Sequence, residues 1–226
     1  MITAQNRREF SASLLAANPL KIQEEIEKCL QASVYHMHLD VMDNNYVPNL
    51  ALSYDTIIAI SRLFPQCLLD IHLMVENPNI SMARLQNVRA RRIYFHSDSK
   101  ESTSSIISNI EKIGAEPGIV INPTQSWKSI ESILPKVQHG LIMGVQPGFA
   151  GQTFQTSCYQ HLERIKDIPE ISWAIDGSVN CNTLAKLLAY PIKHYVLGSA
   201  LFKGNIANNI AAIREIENAA MPTEKL

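Results

Sequence analysis

The sequence has no excess of charge of either sign, and this absence excludes a class of partner. Its 226 residues include 20 lysines and arginines and 21 aspartates and glutamates, which gives a formal net charge of -1. Proteins that bind the phosphates of nucleic acids usually carry a basic excess or a basic patch. We therefore expect no nucleic acid among the partners of this chain.

Long apolar stretches and paired cysteines are also missing. No run of about 18 apolar residues could span a bilayer, and the first residues lack the apolar segment of a secretory signal. The four cysteines, Cys29, Cys67, Cys158 and Cys181, form no C-x-x-C pair, so their spacing predicts neither a zinc knuckle nor a disulfide framework. We therefore expect a cytoplasmic protein that does not bind membranes.

Short strand-like runs recur along the whole chain. The eight runs lie at residues 11–15, 34–40, 67–75, 91–97, 118–122, 141–146, 171–176 and 194–198. Apolar residues with helical spacing follow them, at 22–30, 106–113, 130–134, 158–165, 184–188 and 206–213, and more weakly at 55–63 and 79–87.

Eight strands that are each followed by a helix, with no Pro/Ser-rich linker between them, predict an α/β fold. We expect a single (β/α)8 barrel, a TIM barrel, over residues 1–226, with short flexible ends at about 1–8 and 219–226. An open, doubly wound parallel sheet is the structural alternative.

Two of the predicted strands carry polar side chains on one face. Because side chains alternate along a strand, His36, His38 and Asp40 share a face in the second run, as do Asp70 and His72 in the third. Barrel interiors are usually filled with branched apolar side chains, and a buried polar group needs a partner or a metal. These two strands therefore indicate a polar site inside the barrel.

Four of these polar residues suit a metal. Asp176 ends the seventh run with the parity to point inward, where it can join His38, Asp40 and His72. Two imidazoles and two carboxylates can bind one divalent ion such as Zn, Fe, Mn or Co. A hydrogen-bonded His/Asp network without metal is the alternative that the residues leave open.

The remaining polar residues of these strands have simpler interpretations. We expect a structural role for His36, which lies deeper in the barrel by parity, and a partnered core position for Asp70. We expect Asp43 to order the loop around the site. His96, at the end of the fourth run, either helps to hold substrate or is structural.

Glycine is absent before Gly114 and then gathers at the ends of late strands. Gly148, Gly151, Gly177 and Gly198 lie at or just beyond the sixth, seventh and eighth runs. Glycine lets backbone N–H groups approach an anion, and the loops after strands seven and eight bind phosphate in many barrels. The cluster predicts a phosphate cradle, with generic turns as the alternative.

Six segments resemble the signature blocks of the ribulose-phosphate 3-epimerase family, in that family's order between Ser13 and Phe202. They are HLDVMDNNYVPN (38–49), DIHLMVENP (70–78), INPTQ (121–125), MGVQPGFAGQTF (143–154), IDGSVN (175–180) and VLGSALF (196–202). The resemblance implies a barrel of the ribulose-phosphate-binding type, with one divalent metal held by His38, Asp40, His72 and Asp176. It also implies a homo-oligomer.

The resemblance further implies a reaction and a substrate site. Asp40 and Asp176 are the implied acid/base pair, inverting carbon 3 of a ketose phosphate through an ene-diolate, most directly D-ribulose 5-phosphate to D-xylulose 5-phosphate. Implied contacts to the sugar come from Ser13, His38, His72, Met42, Met74 and Met143. Implied contacts around its phosphate come from Gly148, Ala150, Gly151, Gly177, Ser178, Gly198 and Ser199.

Some residues depart from the family pattern. Asn44 replaces a usual glycine but can adopt the left-handed conformation, and the residues 88–91 (VRAR) replace a usual A-G-A-D turn. Leu52-Ser53, Ala150 and the residues 178–180 are similar to the sister family of allulose-6-phosphate 3-epimerases, which is the alternative substrate class. A metal-dependent hydrolase and a non-catalytic sugar-phosphate binding protein are further alternatives.

Overall fold

The computed structural model of this chain describes residues 8–220, in which eight parallel strands close into a barrel in sequence order. The strands are β1 (Glu9–Ser13), β2 (His36–Met42), β3 (Leu68–Met74), β4 (Ala90–His96), β5 (Glu116–Ile121), β6 (His139–Met143), β7 (Ser172–Asp176) and β8 (Ile192–Leu197). The first and last strands close the barrel, because Ala12 of β1 pairs with Leu197 of β8. The (β/α)8 barrel is confirmed, and the open sheet is excluded.

Helices cover the outside of the barrel. They are α1 (Ile22–Gln31), α2 (Tyr54–Leu63), α3 (Pro78–Leu85), α4 (Thr103–Lys112), α5 (Tyr159–Arg164), α6 (Cys181–Leu187), α7 (Ser199–Phe202) and α8 (Ile206–Ala219). Side-chain caps mark the start of three of them. The Ser53 side chain accepts a hydrogen bond from the Thr56 N–H, Asn180 and Thr183 form a capping box, and the Asn205 side chain accepts from the Asn208 N–H. The longer helices bury apolar residues in the core, as Ile106 and Ile110 of α4 do.

The prediction of a helix at residues 130–134 is wrong. The β5–β6 connection instead contains two short 3-10 turns, Trp127–Ser129 and Leu134–Lys136. Ile130 and Ile133 are buried, as their spacing predicted, but the helical conformation does not continue through them. Pro135 lacks an N–H group and would clash with the preceding turn of an α-helix, which explains why one does not form.

The main hydrophobic core lies between the strands and the helices, and the barrel interior is unusually polar. Inside the barrel, a small apolar cluster around Tyr94 and Leu141 is accompanied by the fully buried His38, Asp70 and His72. Strand pairing sets these polar residues in layers, with His38 beside Asp70 and Asp40 beside His72. The sequence-based expectation of an inward-facing polar site on β2 and β3 is confirmed.

An ionic network closes the amino-terminal end of the barrel. Glu9 accepts hydrogen bonds from Arg91 (3.1 and 3.2 Å) and from Arg92 (3.0 Å). Arg92 also contacts Asp70 Oδ2 at 3.4 Å and donates to His194 Nδ1 at 3.0 Å. Asp70 is therefore a partnered core carboxylate, as expected.

This network also explains two further sequence features. His36 lies in it, with its Nδ1 3.3 Å from an Arg91 nitrogen, which is consistent with the expected structural role. The unusual residues 88–91 thus supply an ion pair to Glu9 rather than only a turn.

The two chain ends fall partly outside the described residues. Residues 1–7 and 221–226, which make up most of the two expected flexible ends, are not described. Arg8 takes part in three hydrogen bonds: its N–H donates to Glu217, its guanidinium donates to the Leu188 carbonyl, and its own carbonyl accepts from Arg214. Across residues 8–220, we find no helix that combines the length and the apolar character needed to cross a membrane.

Candidate active site

Four side chains from three strands meet at the carboxyl end of the barrel. His38 and Asp40 come from β2, His72 from β3 and Asp176 from β7, and one potential ligand atom of each lies within 4.8 Å of the others. His38 Nε2 is 3.4 Å from Asp40 Oδ1 and 3.6 Å from Asp176 Oδ2. His72 Nδ1 is 3.2 Å from Asp40 Oδ1. The structure thus brings together all four residues that the sequence analysis grouped.

The donor atoms in this cluster fit a divalent metal. His38 is fully buried, and neither of its ring nitrogens has a hydrogen-bond partner among the described residues. A buried imidazole nitrogen that faces two carboxylates without a hydrogen bond is poorly satisfied as a protein-only contact. A hydrogen-bonded network without metal is therefore incomplete at His38, whereas imidazole and carboxylate donors together suit a borderline metal ion.

Burial and the neighbouring charges shift the pKa values of the side chains in this cluster. Burial lowers the pKa of His38, but the Asp40 and Asp176 carboxylates outweigh it and raise that pKa to about 9. Burial also disfavours an ionised Asp40, yet His38 and His72 hold the pKa of Asp40 below its usual value. Burial, together with the negative charge of Asp40, raises the pKa of Asp176. The two carboxylates therefore have different proton affinities in one site.

A cavity of about 340 Å³ opens above the cluster, and both carboxylates line it. The expected sugar-facing residues in its wall are Ser13, Met42, Met74 and Met143. The Ser13 hydroxyl donates to Asp40 Oδ2 at 3.1 Å.

The two histidines of the cluster lie behind this wall. His38 and His72 are fully buried and are not among the residues that line the cavity, and the substrate contacts that the resemblance implies for them stay predictions. Both rings point at the carboxylates instead.

The loops after β6, β7 and β8 form the other wall of the cavity. It contains every expected phosphate contact, namely Gly148, Ala150, Gly151, Gly177, Ser178, Gly198 and Ser199. Gly177 has φ +106°, and a Cβ there would lie 2.7 Å from a Val145 methyl group, so only glycine fits. Lys203 is the only lysine or arginine among the described residues of this wall.

Several contacts fix these loops. The Asn49 amide donates to the Gly148 carbonyl at 2.6 Å, which joins the β2–α2 loop to the β6–α5 loop. The Ser178 hydroxyl donates to the Gln152 carbonyl. Asn49 and Gln152 lie inside the segments 38–49 and 143–154 that carry the family resemblance, but no spacing in the sequence marks either residue as part of the site.

The loop that follows β2 is organised by Asp43, as expected. Its Oδ1 accepts hydrogen bonds from the N–H groups of Asn45 (2.9 Å) and Tyr46 (2.8 Å), and its Oδ2 accepts one from Glu76 (2.8 Å). Asn44 has φ +60°, so the left-handed conformation that was expected of it is confirmed.

His96 does not reach the cavity. It is 1% exposed at the end of β4, and its Nε2 lies 2.9 Å from His72 Nε2. The Tyr46 ring covers its other side, with centroids 4.8 Å apart. Of the two expectations for His96, the structure favours a position within the protein interior.

Comparisons with known proteins find similarity along most of this chain. Residues 9–202 match the family model described as the ribulose-phosphate 3 epimerase family. The ribulose-phosphate 3-epimerase of Helicobacter pylori is 32% identical over 200 residues, which cover 86% of this chain and 91% of that protein. The enzyme of that name from Escherichia coli K12 is 29% identical and covers 85% of this chain and 88% of its own length.

Solved structures share the fold. The 3-keto-L-gulonate-6-phosphate decarboxylase of Vibrio cholerae superposes with a TM-score of 0.75 at 12% identity, over 96% of this chain and 100% of that chain. The 3-hexulose-6-phosphate synthase of Salmonella typhimurium gives 0.70 at 10% identity, over 94% and 100% of the two chains. At such identities the likeness concerns the barrel alone.

Proposed function

The chain belongs to the ribulose-phosphate 3-epimerase family and is a sugar-phosphate 3-epimerase, and on this basis we propose that it interconverts D-ribulose 5-phosphate and D-xylulose 5-phosphate with one divalent metal. One observation carries the proposal. Asp40 and Asp176 line one cavity from strands on different parts of the barrel and share His38 as a neighbour, at 3.4 and 3.6 Å.

The metal centre in this proposal consists of His38, Asp40, His72 and Asp176. The unpartnered nitrogens of the buried His38 support it, because a metal would satisfy one of them. When bound, a divalent metal supplies Lewis acidity toward the carbonyl and hydroxyl oxygens of a sugar. The identity of the metal among Zn, Fe, Mn and Co is open.

The two carboxylates carry out the proton transfers. Inversion at carbon 3 requires that a proton leave one face of the carbon and return to the other, because return to the same face regenerates the starting sugar. One of Asp40 and Asp176 therefore removes the proton while the other supplies one, and their roles exchange in the reverse reaction. Ser13 holds Asp40 through its hydrogen bond, which limits rotation of the carboxylate.

The cavity wall excludes water and binds the rest of the substrate. The side chains of Met42, Met74 and Met143 place apolar, polarizable groups around the reacting carbon. At the other wall, backbone N–H groups of the glycine-rich loops bind the phosphate, because a single lysine is the only basic side chain that the described wall offers.

The pentose phosphate is preferred over the alternatives for specific reasons. The relatives from Helicobacter pylori and Escherichia coli bear the name of the pentose-phosphate enzyme, and only Leu52-Ser53, Ala150 and the residues 178–180 favour allulose 6-phosphate. The family match argues against a hydrolase or a non-catalytic binding protein, because the matched family is one of epimerases. The homo-oligomer and the cytoplasmic location stay predictions.

A specificity comparison tests the proposal. Purified protein is assayed with D-ribulose 5-phosphate and with allulose 6-phosphate, and metal content is measured on the same preparation. We expect isomer formation without consumption of water, a larger kcat/KM for the pentose phosphate and about one metal per chain. A larger kcat/KM for the hexose phosphate would transfer the assignment to the sister family, and hydrolysis products would refute it.

A further inference from the structure

His96 has no role in the proposed reaction, yet its ring is hydrogen-bonded to His72, one of the four residues of the cluster. Its ring meets that of His72 edge to edge, with centroids 5.1 Å apart and planes at 27°, and the two Nε2 atoms are 2.9 Å apart. The other nitrogen of His96, Nδ1, has no partner within residues 8–220. Within that range, the bond to His72 is therefore the only hydrogen bond that the His96 ring makes.

The two nitrogens of His72 face different neighbours. Nδ1 lies 3.2 Å from Asp40 and 3.9 Å from Asp176, whereas Nε2 meets His96. A neutral imidazole carries one proton, so a ring that uses Nδ1 as a metal ligand keeps its proton on Nε2 and donates it there. In metal sites this second hydrogen bond fixes the tautomer and the orientation of the ligand, usually through a carboxylate, a carbonyl or water.

We propose that His96 is the positioning residue of the metal centre, which accepts the Nε2 proton of His72 and so keeps His72 Nδ1 directed at Asp40 and Asp176. The inference rests on the proposed function, because it requires the metal centre described there. His96 itself touches neither the cavity nor the other three residues of the cluster in the contacts given above.

The surroundings of His96 hold its ring in place for this task. Tyr46 packs on the face of His96, and the Tyr46 hydroxyl donates to Asp98 Oδ1 at 2.8 Å while it accepts from the Asn122 amide at 3.4 Å. The ring of His96 thus lies between a fixed tyrosine and His72. Rotation of His96 away from His72 would have to displace that tyrosine.

Three substitutions separate the hydrogen bond from the volume of the ring. His96→Gln keeps a polar atom near the Nε2 position, His96→Asn keeps one only near the Nδ1 position, and His96→Phe fills the space of the ring without a nitrogen. His139→Gln is the matched control, because His139 is also buried and its Nε2 lies 2.9 Å from Glu116, at the amino-terminal end of the barrel.

The readout is Co²⁺ affinity, measured by competition with a chromophoric chelator, together with the visible absorption spectrum of the Co²⁺ protein. We expect the dissociation constant to rise about tenfold to a hundredfold for His96→Asn and His96→Phe, with a changed spectrum. His96→Gln should stay within a few fold of the unchanged protein, and so should His139→Gln.

Two results would overturn the inference: unchanged Co²⁺ affinity in His96→Phe, or an equal loss in His96→Gln and His96→Phe. Thermal unfolding of the metal-free proteins checks that each variant folds, and if His96→Phe does not, the comparison of Gln with Asn decides. Failure of the unchanged protein to bind Co²⁺ would instead refute the metal centre of the proposed function. The two failures are therefore distinguishable.

Discussion

Asp40 and His72 are register partners on adjacent strands, and His72 Nδ1 lies 3.2 Å from Asp40 Oδ1. The pairing of β2 with β3 therefore brings two of the four residues of the candidate metal centre together. The second carboxylate, Asp176, comes from β7, and it reaches the same site only because the barrel closes. This arrangement gives the site two carboxylates that come from separate strands.

Replacement of Asp176 by Asn removes a proton carrier but keeps an oxygen. We expect epimerisation to fall at least about a hundredfold, in the range of general acid/base contributions. Exchange of the C3 hydrogen of one epimer with deuterated solvent should persist, because Asp40 still serves one face. Asp55→Asn, at a carboxylate that is 85% exposed, is the control. Near-normal conversion of both sugars by a metal-loaded Asp176→Asn protein would disprove the two-carboxylate mechanism.

Removal of metal should abolish activity and lower stability together. A metal that binds only the folded chain adds about 2.7 kcal/mol to the free energy of unfolding at a hundredfold excess over its dissociation constant. Chelation should therefore lower the thermal midpoint, and readdition of metal should restore it. Full activity at less than about a tenth of a metal equivalent would show that Lewis-acid chemistry is not used.

If backbone N–H groups bind the phosphate, replacement of Gly198 should raise KM more than replacement of Lys203. A Cβ at Gly198 would meet Ala16 at an ordinary 3.5 Å, so Gly198→Ala should be tolerated, whereas Gly198→Leu would fill the cavity. We expect Gly198→Leu to raise KM about tenfold or more, with a small effect of Lys203→Ala. Steady-state kinetics measure both, and equal increases in KM would contradict binding by backbone N–H groups.

We expect replacement of Arg92, in the ionic network at the amino-terminal end, to lower the free energy of unfolding more than replacement of the exposed Arg84. Arg92→Leu leaves the buried Asp70 without its cation and should lower the free energy of unfolding by about 3–5 kcal/mol. Arg84→Ala breaks an exposed pair with Asp55 and should cost less than about 1 kcal/mol. Urea titrations compare the two, and similar losses would show that burial of the network does not matter.

We expect the buried His194 to make the folded protein less stable in acid. Burial, with the positive charge of Arg92, holds its pKa well below the ordinary value of 6.5 in the folded chain. As pH falls through about 6.5, the unfolded chain therefore takes up a proton that the folded chain refuses, and stability is lost. His194→Gln removes this contribution, so its unfolding free energy should fall less between pH 7 and pH 5. A steeper fall in the variant would contradict the assigned direction of the shift.

The sequence by itself determined the strands, their order and the faces of their side chains. Alternation along a strand is local, so His38 and Asp40 had to share a face whatever the partner strands were. The left-handed Asn44 and the turn built by Asp43 are local as well, because a side chain bonds its own neighbouring backbone there.

Only the tertiary structure decided which of these residues meet. Alternation does not give distances between strands, so neither the approach of Asp176 to His38 nor the bond of His96 to His72 follows from spacing. The Arg92–Asp70 contact likewise depends on the pairing of β3 with β4. Local apolar spacing was also insufficient at residues 130–134, where Pro135 and the packing of two isoleucines gave short 3-10 turns in place of a helix. Such contacts join residues far apart in the chain, and closure of the barrel, rather than any local propensity, brings them together.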